Sequence, residues 1–127
     1  MKHNEISGIT VDTAMEIHKT LGPGLLEAVY RRILAYELRK RGLHVDEEKP
    51  IPVVWDGQVM DIGFRADLLV ENKVIVELKS VEKLAPVFGK ILLTYLRLAD
   101  KRLGLLVNFG EELLKDGLVR VINGQLE

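Results

Sequence analysis

Apolar residues over the first forty positions recur every three or four residues, the spacing of one helix face, and beyond Leu43 the rhythm changes to alternation and continuous runs. The first stretch predicts a helix over Ile9 to Leu21, with Val11, Ala14, Met15, Ile17 and Leu21 on its apolar side and "GPG" at Gly22 to Gly24 ending it. Leu26, Val29, Tyr30, Ile33, Leu34 and Leu38 predict a second helix over Leu25 to Arg41, with Gly42 as its exit. "HVDEEKPIPVVWDGQVM" combines β-branched residues, two prolines and an Asp56-Gly57 turn, the marks of an edge strand entering a hairpin. Two further strands are expected at Phe64 to Val70 and Val74 to Ser80, then a helix from Pro86 to about Ala99, and strands at Leu103 to Phe109 and Leu118 to Asn123. The helix between Ser80 and Leu103 is long enough for a parallel crossover, so the fold class is an α/β layered domain with a mixed sheet.

Within "ADLLVENKVIVELKS", a loop of Glu71, Asn72 and Lys73 pairs Val70 with Val74 and sets Asp67 opposite Glu77. Like charges directly opposed in a sheet repel, and Lys79, two residues beyond Glu77, shares their face. Ala66, Leu68, Val70, Val74, Val76 and Leu78 form the other face, which must lie against the core. Two adjacent carboxylates beside an ammonium suit a magnesium or manganese ion facing an anionic substrate, with phosphodiester hydrolysis as the natural reaction. The competing reading is a solvent-facing strand pair in which Lys79 offsets the two acids, and a register slip of one residue would exchange the faces.

The chain's 127 residues suit one domain over positions 1–127, and 47% hydrophobic content is enough for a substantial core. With 18 basic and 19 acidic side chains the formal net charge is -1, which excludes a globally basic nucleic-acid coat while leaving room for a local patch. The absence of cysteine removes disulfide and zinc-thiolate chemistry. "MKHNEISGIT" lacks the apolar run of a signal peptide and no stretch is long enough to span a membrane, so a cytoplasmic protein is expected. His3, His18 and His44 lack metal-ligand spacing, and "LGPG" lacks the Lys and Ser/Thr of a phosphate loop.

Asp67 followed after nine residues by "ELK" at Glu77 to Lys79 resembles the signature of the PD-(D/E)XK nuclease superfamily, and "GLLEAVY" at Gly24 to Tyr30 matches the GxxExxY motif of a small protein family placed in it. The resemblance runs through most of the chain, including "LAYELRKRGL" and "LGLLVNFG". It implies a restriction-endonuclease-like αβββαβ core with a mixed central sheet flanked by helices. Carried over position by position, Asp67 and Glu77 would be direct magnesium ligands, Glu27 the helix carboxylate joining them, and Lys79 the catalytic lysine; Gly24 and Tyr30 complete the motif. Taken without the resemblance, Glu27 is the third residue of a helix capped by Gly24, where an acid suits the helix dipole, and Tyr30 is a core aromatic with a solvated hydroxyl. Relatives tend to carry histidine and glutamine where this chain has Phe88 and Ile91. That departure keeps open a second reading, a weakened or inactive nucleic-acid-binding or scaffold protein retaining the fold.

Lys90, Thr94, Arg97 and Lys101 share one side of the third predicted helix and are candidate phosphate contacts, or a solvated polar face. "YELRKRG" at Tyr36 to Gly42 is a second basic cluster, which the helix dipole alone would favour. Trp55 is an interface, base-stacking or local packing residue. The expected partner is DNA or RNA, and the sequence is compatible with a monomer or with a homodimer setting two clefts on a duplex.

Overall fold

The computed structural model describes residues 1–127. Its elements run α1 (His3–Leu21), α2 (Glu27–Lys40), β1 (Val45–Trp55), β2 (Gln58–Val70), β3 (Val74–Lys79), α3 (Val87–Ala99), β4 (Leu103–Asn108), a 3-10 turn (Leu114–Gly117) and β5 (Leu118–Ile122). The sheet order is β1-β2-β3-β4-β5, with β3 and β4 parallel and every other pair antiparallel. The expected αβββαβ core is present as α2 through β4.

Two apolar clusters hold the layers together. Helices α1 and α2 bury Ile6, Ile17, Tyr30, Leu34 and Leu38 against one face of the sheet, which presents Leu68, Val70, Val74, Val76 and Leu78. On the other face α3 packs Leu92 and Leu96 over Leu69, Ile75 and Leu106. Helix and strand come close there, since a Cβ on Gly104 would lie 2.9 Å from the Leu92 side chain.

Helix α1 begins six residues before the expected start, and its buried face differs from the expected one. The Lys2 N–H donates to Glu5 Oε1 at 3.1 Å and anchors the first turn. Thr10 and Thr13 are fully buried because each hydroxyl donates to the carbonyl four residues earlier, at 2.8 and 2.6 Å. Both therefore act as core positions, whereas Met15 and Leu21 are exposed.

The Asp56-Gly57 turn takes positive φ at both residues, as a two-residue hairpin requires, and β2 runs unbroken from Gln58 instead of starting at Phe64. Trp55, beside this turn, is 74% exposed and so contributes little local packing. The loop Glu71 to Lys73 and the Val70↔Val74 register are as expected. Ala66, however, joins the cluster under α3, not the face of Leu68. Between the Glu47↔Leu68 and Lys49↔Ala66 pairs, Glu48 of β1 adopts a left-handed φ of 48°, a departure from regular strand geometry at that point of the ladder.

Leu96 is fully buried beneath α3. Leu96→Ala is expected to cost about 2–5 kcal/mol, read as a lower urea midpoint; an unchanged midpoint would contradict this second core.

Candidate active site

The pairing between β2 and β3 covers only Val70↔Val74, Leu69↔Ile75 and Leu68↔Val76, whereas β3 stays paired with β4 along all six of its residues. Strand β2 leaves β3 after Leu68, so the next backbone groups lack ladder partners and take side-chain ones instead. The Asp67 N–H donates to Glu77 Oε1 at 3.3 Å, and the Leu78 N–H donates to Asp67 Oδ2 at 2.8 Å. Each carboxylate thus closes on the other's strand, which satisfies the backbone while holding two acids side by side.

That arrangement has an electrostatic cost. Burial first, then the charge of Asp67 and a hydrogen bond with it, push the Glu77 carboxyl up to about 9, against the partial relief from the Asp67 N–H and Lys79. Glu27 is raised in the same sense, by burial and then by Asp67, while Lys79 and Arg31 oppose the shift. Asp67 and Lys79 therefore act on both glutamates, and the four side chains belong to one electrostatic neighbourhood.

They do not form one chelate. No group of three or more His, Asp or Glu side chains lies close enough to hold an ion together. Glu27 lines a cleft of about 580 Å³ between the start of α2 and the Ser80 to Glu82 segment. Glu77 and Lys79 line a narrower slot of about 150 Å³ under α3. The Lys79 ammonium lies 4.5 Å from the centroid of the Phe88 ring, a cation–π contact in place of an ion pair with either acid.

Glu27 is the first residue of α2, capped by the extended Leu26, and not the third residue after a Gly24 cap. Gly24 instead supplies a φ of 110° in the approach to the helix. Tyr30 is fully buried and stacked on Phe109 at 4.3 Å, and its hydroxyl is not solvated: it donates to the Gly22 carbonyl at 2.6 Å and accepts the Leu25 N–H at 3.2 Å. Ser80 Oγ, directly after Lys79, donates to the Leu25 carbonyl at 2.7 Å. Both backbone groups of Leu25 are thereby tied down, one to α2 itself and one to the end of β3.

Sequence reasoning missed Ser80, the Phe88 contact and Arg31. The spacing of Arg31 four residues after Glu27 was the available signal, since that separation brings helix residues together. Arg31 lies 3.5 Å from Glu48 and 3.9 Å from Glu47, and the second basic cluster is absorbed similarly, with Arg39 on Glu47 at 2.9 Å and Arg41 on Glu16 and Thr13. Lys90, Thr94 and Arg97 stand on the exposed side of α3, but Lys101 falls beyond the left-handed exit at Asp100 and is not part of that helical row.

A family model described as the PD-(D/E)XK nuclease superfamily matches residues 4–121. No curated protein and no solved structure gives a significant match.

Tyr30→Phe keeps the ring stack and removes both loop hydrogen bonds. It is expected to cost about 1 kcal/mol and to speed hydrogen exchange at the Leu25 amide; unchanged exchange would contradict the clamp. Glu77→Gln keeps an oxygen for the Asp67 N–H and removes the titration. Because the folded-state value is raised, the stability contributed by the protonated Glu77 is complete below its unfolded value of 4.5 and is lost as pH rises towards about 9. Without metal, Glu77→Gln should therefore match the parent below about pH 4.5 and exceed it increasingly as pH rises from there to about 9, read from urea midpoints across pH. A constant gap would contradict the coupling.

Proposed function

The chain belongs to the PD-(D/E)XK nuclease superfamily, and from that premise we propose that it hydrolyses nucleic-acid phosphodiester bonds with a dication held by Asp67 and Glu77. The observation that carries this reading is the interlocked acid pair, whose Glu77 carboxyl is raised by burial and then by the charge of Asp67, beside a lysine not paired with either acid. Nucleases of this superfamily generally use divalent metals.

The donor set fits magnesium or manganese. Both prefer oxygen ligands, and magnesium commonly takes only one or two carboxylates with water and phosphate oxygens completing its shell, so the lack of a three-acid chelate is no obstacle. A dication would also offset the burial and the Asp67 charge that together raise Glu77. When bound it supplies neutralisation of phosphate charge and a more acidic water.

The chain's own residues supply the remainder. Lys79 offers an ammonium to a phosphoryl oxygen or to the attacking water, and its Phe88 contact keeps it desolvated on one side while leaving it free of carboxylates. Glu27, at the N-terminus of α2 on the cleft side, completes the acidic set and is able to take up a proton. Lys90 and Arg97 contact flanking phosphates from the outer side of α3. A second reading is favoured by Ile91, which lines the slot and has no group to orient a water: a nucleic-acid-binding protein that keeps the fold without turnover.

Purified protein should cleave DNA or RNA only with magnesium or manganese, and Asp67→Ala and Glu77→Ala should each lower the rate by about 100-fold or more. Absence of cleavage, with nucleic acid still bound, would favour the second reading. Cleavage that survives in Glu77→Ala would overturn the site.

A further inference from the structure

We infer that the slot under α3 receives an unpaired nucleobase beside the cleaved phosphate, which makes single-stranded nucleic acid, or an unpaired stretch within it, the substrate class; this rests on the function proposed above. The slot opens directly on Glu77 and Lys79, and its walls are Phe88, Ile91, Leu92, Tyr95 and Leu106. At about 150 Å³ it is smaller than the roughly 300–1,000 Å³ of sites for drug-sized ligands and suits one planar group. Its walls are held in place: Tyr95 is stacked on Phe64 at 3.8 Å and Phe88 faces Lys79, while Ile91 is 38% exposed at the mouth. Arg65 and Lys79 are its two cations, suitably placed for the phosphate attached to an inserted base.

The charge distribution points the same way. Binding to a duplex backbone rests on cations set against phosphates, and this chain has a net charge of -1. The α2 guanidiniums of Arg31, Arg32 and Arg39 are engaged by Glu47 and Glu48, and Arg41 by Glu16. Those α2 cations are already matched by carboxylates, and contact with a base face is a further source of affinity, about 1–3 kcal/mol per base. A base stacked and paired inside a duplex cannot enter a slot of this kind; an unpaired one enters without first being extruded.

The test is equilibrium binding of short fluorescein-labelled DNA and RNA strands and their blunt duplexes, with calcium replacing magnesium so that turnover does not interfere. At least one single strand should bind about tenfold or more tightly than its duplex. Ile91→Glu places a carboxylate in the slot and should abolish the preference, whereas Thr94→Glu adds the same charge on the outer side of α3 and should weaken both forms alike. Duplex binding as tight as single-strand binding, or equal effects of the two variants, would overturn the slot. If the preference and its dependence on Ile91 hold while magnesium supports no cleavage, the hydrolytic reading fails and the slot stands. Cleavage at equal rates on both forms would keep the hydrolytic reading and overturn the slot.

Discussion

Two carboxylates held together where a β-ladder opens are the constraint on which the site depends. Strand β2 parts from β3 after Leu68, and Asp67 and Glu77 close the gap by accepting the N–H groups left behind. Backbone satisfaction and charge repulsion thus meet at one point. The first favours two oxygens close to the strands, whereas burial and then the charge of Asp67 disfavour a second negative charge there and push the Glu77 carboxyl up. A site in this condition gains from any cation that replaces the proton.

The surrounding architecture serves to keep that point in place. Parallel pairing of β3 with β4 is unbroken on the far side, and buried Leu69, Ile75 and Leu106 fix the strands beneath α3. On the opposite face, Tyr30 and Ser80 hold Leu25 from two directions, so the start of α2 cannot drift relative to the end of β3. The sequence motif linking Gly24, Glu27 and Tyr30 acquires a physical sense here. Gly24 permits the turn, Tyr30 fastens it, and Glu27 is the side chain delivered to the cleft.

Most of the fold was legible because the relevant signals are local. Apolar spacing, the Asp56-Gly57 turn, the three-residue loop after Val70 and the crossover after Ser80 each identify one element without knowledge of the others. What escaped depended on contacts distant in sequence or on polar atoms satisfied internally. Thr10 and Thr13 read as polar although their hydroxyls are spent on the helix backbone. Ala66 read as a neighbour of Leu68 because strict alternation puts both on one face, whereas Ala66 packs with the cluster under α3. At the site, the opposition of Asp67 and Glu77 followed from register alone, but the separation of Glu27 into the neighbouring cleft and the ring contact of Lys79 arise only when α2, β3 and α3 are assembled.

The most direct measurement of dication binding is anomalous diffraction from crystals soaked in manganese. A single strong peak bonded to oxygens of both Asp67 and Glu77, lost in crystals of Asp67→Asn, is the expected result. Ordered density for both carboxylates in their metal-free hydrogen bonds, with no peak between them at saturating manganese, would contradict the proposal that this acid pair exists to hold a cation.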